Sequence, residues 1–386
     1  MATSNILING FQPLRLTVDR IGPFQDKIWS FDFTDREGAP CNFYLLVSAN
    51  GKGKTTLIEL MTCMMDMLGR DHLDKYGFES LDCGEGRAQW DILVSLSQNG
   101  KDKTVVLSLI AGTIGADTTL REWGEDDLQR LGAYSWHRFG FRRLASGRIE
   151  PIHGGDAWVE DFNLLIRTGQ GEKLSDFEND ALTYPTLLYF SAYRDIEQVS
   201  ETSRAITQPS DWGYKIVHRF GKEGGQWTAS LDNLLVWLKW LDDGRFERAV
   251  KIVNERIFRD STKFLEGIRK DPPEAIVNNE DHVHRLDQLS SGEKSLVHIC
   301  LRMGAHMTHN TLFLLDEMDV HLHSKWQHRI LNWLKDMAKE HAGLTIIATT
   351  HSREIIKAYA FEVAEEGLRK GGFIIEDDLH SGTEGD

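Results

Sequence analysis

A continuous apolar run, Phe43-Tyr-Leu-Leu-Val47, ends at Ser48-Ala-Asn-Gly-Lys-Gly-Lys-Thr-Thr56, and apolar residues at helical spacing follow to Leu68. A run without polar alternation suits a strand buried on both faces. A glycine-rich turn between such a strand and a helix is the local order of a phosphate-binding unit. Gly51 and Gly53 let the backbone turn its N–H groups inward around a phosphate. Lys54 can reach β- and γ-phosphates as a point charge, and Thr55 offers a hydroxyl to Mg2+. Asn50, Lys52 and Thr56 complete the candidate loop, and the helix after it adds its positive end. The pattern GxxxxGK[ST] asks for glycine at position 48, where this chain has serine. A basic, glycine-rich turn that merely precedes a helix is the bland alternative.

Composition narrows the remaining classes. Hydrophobic residues make up 41% and charged residues 27% of 386, near globular averages, which excludes a disordered or collagen-like chain. No apolar run approaches the roughly 20 residues needed to span a bilayer, and the start of the chain lacks a signal-peptide pattern. Cys41, Cys63, Cys83 and Cys300 are scattered, so neither a disulfide framework nor a zinc site is expected and a cytoplasmic location fits. Lys and Arg total 44 against 59 Asp and Glu, a formal charge of −15 that argues against wholesale coating of nucleic acid.

Three further elements carry chemistry. Phe313-Leu-Leu-Asp-Glu317 is an apolar strand ending in two acids, at the strand end where α/β sheets place ligands. Asp316 is expected to hold Mg2+, and Glu317 to orient or deprotonate an attacking water. A solvated helix start is the alternative for these acids taken alone. Leu289-Ser-Ser-Gly-Glu293 reads as a capping box in which Ser290 caps a helix and Glu293 reaches back. The same helix start, with Ser290 and Gly292, would serve as a γ-phosphate docking surface. Ile346-Ile-Ala-Thr-Thr-His351 is a strand ending in a histidine that could reach the carboxylates.

The rest of the chain is read coarsely. Leu14, Leu16 and Val18 alternate, as do Trp29, Phe31 and Phe33, which predicts strands. Ala88–Leu96 and Lys103–Ala111 flank Asn99-Gly100 and predict an antiparallel hairpin. Thr183–Ser191 reads as a buried strand, and Trp227–Gly267 as helical, with an apolar stripe through Leu231, Leu234, Leu235, Leu238 and Leu241. A helix starts near Ser324, and the tail from Glu376 is expected to fray. His137, Arg138, Arg142, Arg143 and Arg148 interleave with Trp136, Phe139 and Phe141, a composition open to DNA or partner contact or to a solvated loop. His321, His323 and His328 have no cysteine to support them, and no metal beyond Mg2+ is expected.

The order SANGKGKTT, LSSGE, FLLDE, ATTHS resembles the ABC-class P-loop ATPases of the RecF/SMC-like branch. The opening strands LRLTVDRIGPF and WSFDF, and the turn DEMDVHLH, resemble the short ATPases of overcoming-lysogenization-type and anti-phage systems, Septu- and PARIS-like ATPase subunits among them. The resemblance covers roughly residues 12–66 and 286–360. It implies an α/β ABC-type head with an inserted antiparallel β-hairpin and a helical arm. The core is expected at 1–66 and 286–386, with the insertion at 67–285.

Residue by residue, the resemblance gives Lys54 and Thr55 the Walker A roles and Asp316 and Glu317 the Walker B roles. His351 becomes the switch histidine, and Ser290 and Gly292 bind ATP held by the opposite subunit. The cofactors implied are ATP and Mg2+. Asp319–His323 stands at the D-loop with a different sequence, Ser291 replaces the first glycine of LSGGE, and no glutamine stands out for the Q-loop, Gln198 after LLYFSAYR being a guess. Residues 57–288 lack sustained heptads, which excludes a long coiled coil, and with about 35 residues after His351 no Toprim nuclease domain is expected in this sequence.

The function implied is an ATP-dependent dimerising switch, a homodimer or larger homo-oligomer, serving as the sensor ATPase of an anti-phage system with a separate nuclease or toxin effector. A RecF-like DNA repair ATPase using Arg138, Arg142 and Arg143, a transporter subunit, and an ATP-dependent scaffold are the alternatives.

Overall fold

The computed structural model describes residues 6–98, 100–115, 119–152, 154–170, 182–200, 204–280, 282–361 and 365–375. The tail from Glu376 and Asn99 at the hairpin turn lie outside the described residues.

Two six-stranded sheets organise the chain. The first is entirely parallel. Its strands run, in spatial order, Val217–Phe220, Pro185–Phe190, Asn310–Leu315, Thr345–Thr350, Phe43–Val47 and Lys370–Ile374. The apolar run at 43–47 is continuous because both faces of this sheet are covered. Tyr44 and Leu46 enter one core with Leu187, Tyr189, Leu312 and Leu314, while Phe43 and Leu45 enter another with Leu188, Phe190, Phe313 and Leu315.

The second sheet closes the first core. It orders Trp29–Asp32, Ile6–Asp19, Arg87–Gln98, Lys101–Gly112, Ser135–Arg143 and Ile149–Pro151. The hairpin expected around Asn99-Gly100 forms with Gln98 opposite Lys101, and it pairs along the N-terminal strand. The helix Lys54–Met65 is packed between the two sheets through Leu57, Ile58, Met61 and Met64. That packing, which leaves Thr55 and Glu59 exposed, fixes the phosphate loop at the head of the helix.

The other face of the parallel sheet carries the helices Leu231–Leu241, Arg245–Arg256, Ser291–His306 and Ser324–Glu340. The helical reading of 227–267 holds only as far as Arg256. Lys263–Lys270 is instead the first strand of a three-stranded antiparallel sheet with Pro273–Asn279 and His282–His284. Leu265, Ala275 and Val277 of this sheet share a core with Leu234, Leu235 and Leu238 of the stripe and with the helix 291–306. The stretch 67–285, assigned from sequence to the insertion, contributes 185–190 and 217–220 to the sheet that holds the phosphate loop. No helix among the described residues is long and apolar enough to cross a membrane.

Candidate functional site

Parallel strands deliver their carboxyl ends to one edge of the sheet, where α/β proteins bind ligands. Ser48 follows Val47, Asp316 follows Leu315, His351 follows Thr350, and Ser191 follows Phe190. Four segments distant in sequence therefore meet at this edge.

The loop is shaped by its glycines. Gly51 and Gly53 have φ of 78° and 94°, the left-handed region that favours glycine. A Cβ on Gly53 would lie 2.7 Å from the Phe24 ring and from Pro23, whereas one on Gly51 would meet nothing within 4 Å. Lys54 is buried, and its Nζ donates to the Ser48 carbonyl at 2.8 Å, the Ala49 carbonyl at 2.9 Å and Ser48 Oγ at 3.2 Å. The serine that departs from the glycine pattern thus provides an extra acceptor for the lysine. Burial lowers the Lys54 pKa, against the opposing pull of Glu317, Asp316 and Asp319. Asn50 is exposed on the loop, with Lys52 half-buried, and the Thr56 methyl sits 2.7 Å from where a Cβ on Gly22 would be.

The acids are held from several sides. Thr55 Oγ1 donates to Asp316 Oδ2 at 2.7 Å, and Thr349 Oγ1 donates to Asp316 Oδ1 at 2.6 Å. The Glu317 N–H donates to the same Thr349 hydroxyl at 2.7 Å, with Glu317 at φ 44°. Asp316 is 1% exposed. A buried carboxylate in contact with a threonine hydroxyl is a hard oxygen donor set of the kind Mg2+ takes alongside substrate phosphates, so the residues fit that ion. Beside them opens a cavity of about 410 Å3 lined by Thr55, Glu59, Tyr189, Ser191, Asp316 and Glu317, among others.

Three residues of the site were not legible from the motifs. Glu59 stands one helical turn beyond Thr55 and faces the same cavity. Burial, then the Asp316 charge, raises its pKa, against Arg219. The i,i+4 spacing from Thr55 was the available signal. Thr349 lies within the ATTHS motif, two positions before the histidine, and its place at the strand end was the signal for it. Arg194 is the third, 3% exposed, three residues beyond Ser191. Its guanidinium donates to the carbonyls of Ser191 at 2.7 Å, Asp316 at 2.5 Å and Glu317 at 2.9 Å, while Nε donates to Ser295 Oγ at 3.1 Å. Burial brings its pKa down to about 10, opposed by Asp316, Asp319 and Glu317, so it keeps its charge at neutral pH. A cation directly after a buried strand was the only hint of it.

His351 does not bond the two acids. Its Nδ1 lies 3.3 Å from Asp319 Oδ2, and Asp319 is also held by the Thr350 hydroxyl. Ser290 caps the helix 291–306 in the expected box: its Oγ accepts from the Glu293 N–H at 3.4 Å and its own N–H donates to Glu293 Oε2 at 3.0 Å, while Lys263 Nζ bonds both Glu293 oxygens. Gly292 packs against the loop at 319–323, where a Cβ on it would lie 3.2 Å from the His321 carbonyl oxygen. Neither Ser290 nor Gly292 lines the cavity beside Asp316. Gln198 is exposed on the short strand Ile196–Val199 and does not line it either.

The basic stretch is a strand from Ser135 to Arg143, with Arg148 in the turn after it. Alternation sends Phe139 and Phe141 into the core at 1% and 0% exposure, so they offer no surface for stacking bases. Arg142 and Arg148 pair with Glu150, and Arg143 donates to the Gly84 carbonyl. Arg138 is exposed near the Trp136 ring.

Residues 187–357 match the family described as "AAA domain, putative AbiEii toxin, Type IV TA system". UvrABC system protein A of Helicobacter pylori (strain ATCC 700392 / 26695) is 30% identical over 89 residues, 22% of this chain and 9% of that protein. The methionine import ATP-binding protein MetN of Coxiella burnetii (strain RSA 493 / Nine Mile phase I) is 38% identical over 94 residues, 24% of this chain and 25% of that protein. The chain therefore spans a quarter or less of the length of these curated relatives. Among solved structures, the SmcHead bound to the C-winged helix domain of ScpA aligns over 93% of this chain and 96% of its own, with 12% identity and a TM-score of 0.40. The phosphate loop at the head of a buried helix and the acid-ended strand beside it on a parallel sheet have the arrangement of a P-loop nucleotide-binding fold.

Proposed function

We propose that this chain hydrolyses ATP to ADP and phosphate and uses the cycle as a dimerising switch. The observation that carries the reading is the direct contact of Thr55 with Asp316 beside the buried Lys54. On nucleotide binding, Lys54 exchanges the Ser48 and Ala49 carbonyls for β- and γ-phosphate oxygens, joined by amides of the loop and the helix start. Thr55 and Asp316 would hold Mg2+, which supplies charge neutralisation at the phosphates. Glu317 orients the attacking water and accepts its proton. His351, positioned by Asp319, lies at the strand end where the γ-phosphate would be sensed. Ser290 and Gly292, outside the chain's own cavity, are left to face ATP held by a second copy.

For biological role we favour the sensor ATPase of an anti-phage system acting through a separate nuclease or toxin. The resemblance in the motifs and the toxin–antitoxin description of the matched family support it. Phosphate release tests the chemistry: Lys54→Ala should lose nucleotide binding, and Glu317→Gln should bind ATP while turning over roughly 10²- to 10⁴-fold more slowly. Near-wild-type turnover in Glu317→Gln would overturn the assignment. Tagged Glu317→Gln recovered from the native host should carry a stoichiometric effector protein. Recovery of DNA instead, with binding weakened by salt and by neutralising Arg142 and Arg143, would favour the repair reading.

A further inference from the structure

At the edge of the parallel sheet a second cluster has no part in the phosphate site. Asp211 lies in the loop before the edge strand, His218 on that strand, and His306 at the last turn of the helix 291–306. Each offers one donor atom, and the three atoms lie within 4.8 Å of one another. His218 and His306 are 3% and 1% exposed, with ring centroids 4.4 Å apart.

The pattern of satisfied and unsatisfied atoms is informative. Asp211 Oδ2 accepts from Arg302 Nη1 at 2.8 Å and lies 3.1 Å from His306 Nε2. Asp211 Oδ1, His218 Nε2 and His306 Nδ1 are buried with no hydrogen-bond partner. Native interiors rarely leave polar atoms in that state, least of all three together. One carboxylate oxygen is anchored by a guanidinium while the other is open, which is how an outer-shell partner orients a metal-ligating carboxylate. A cavity of about 320 Å3 opens onto Asp211 and His218, leaving room for a water to complete a coordination sphere.

The geometry points to a three-ligand site for a divalent transition-metal ion, Zn2+ in the first place, formed by Asp211, His218 and His306. Two borderline imidazoles and one hard carboxylate make a mixed donor set that zinc takes, and an ion there would join the edge strand to the far end of the helix that begins at Ser290. The histidines weighed from the sequence, His321, His323 and His328, are not members of this cluster.

The test is metal binding by the full chain after stripping with a chelator, so it stands whether or not the phosphate loop hydrolyses ATP. Zn2+ titrated against a chromophoric competitor should load one equivalent per chain at micromolar free metal. Co2+ in its place should give the visible absorption of a low-coordinate nitrogen and oxygen site. His218→Gln and His306→Gln should each weaken binding by more than about tenfold, while Asp316→Asn should leave the Zn2+ equivalent in place. A wild-type chain that takes up no stoichiometric Zn2+ or Co2+ overturns the proposal without recourse to any variant. So does an equivalent retained undiminished in both histidine variants.

Discussion

Gly53 does two jobs that Gly51 does not share. Both adopt a left-handed backbone, but only at Gly53 would an added Cβ run into Pro23 and Phe24. Gly53→Ala should therefore cost about 2–4 kcal/mol, conformational strain added to overpacking, and should displace the loop from its nucleotide-binding shape. Gly51→Ala meets open space and should cost only about 1–2 kcal/mol. Urea midpoints of the two variants, with nucleotide affinity measured alongside, rank them; an equal or reversed order would contradict the packing argument. The glycines, Lys54, Thr55, Asp316 and Glu317 could be named in advance because each sits in a short motif whose spacing is its meaning. Glu59 and Thr349 carried only a positional signal, four residues after Thr55 and two before His351, and Arg194 is marked by contacts made across folded distance. Arg194 bonds residues more than a hundred positions away, and no local pattern announces that.

At the scale of elements, the hairpin carries a buried charge. Asp91 on the strand 87–98 stands opposite Ser108 on the strand 101–112, which donates to it at 2.5 Å, with Gln89 Nε2 donating at 2.8 Å. Burial nevertheless raises its pKa to about 6, these hydrogen bonds working the other way. The folded pKa lies above the ordinary value of 3.8, so the contribution to stability is complete below pH 3.8 and is lost as pH rises through about 6. Asp91→Asn should remove a pH-dependent component of about 2–3 kcal/mol between pH 4 and pH 7.5, read from urea unfolding of both proteins at each pH. Parallel pH profiles for the two would defeat it. The hairpin itself was legible because period-two alternation flanked a turn signal. The strand 263–270 was not: Leu265 is its one fully buried residue, and a single apolar position has no period to read. The neighbours of each parallel strand were equally hidden, since runs buried on both faces look alike in sequence.

For the whole molecule the expected state depends on nucleotide. Glu317→Gln with ATP and Mg2+ should move from 44.0 kDa toward twice that mass in light scattering, and the wild type should do so only transiently. Ser290→Arg should block the change while leaving ATP binding within the chain intact, at a capping cost of about 1 kcal/mol. A monomer under both conditions would remove the dimerising switch while leaving hydrolysis open. The α/β class was legible because motif order implies strand-and-helix alternation. The position of the helix 291–306 was not, because it rests on long-range packing against the sheet 263–284 and on Arg194. That single guanidinium has a mechanical consequence. The helix that opens at Ser290 also carries Ser295, and through Arg194 it is tied to the carbonyls of Asp316 and Glu317. A load applied to the exposed tip of this rod is therefore carried to the peptide planes that aim the two acids, with no side chain having to swing between them.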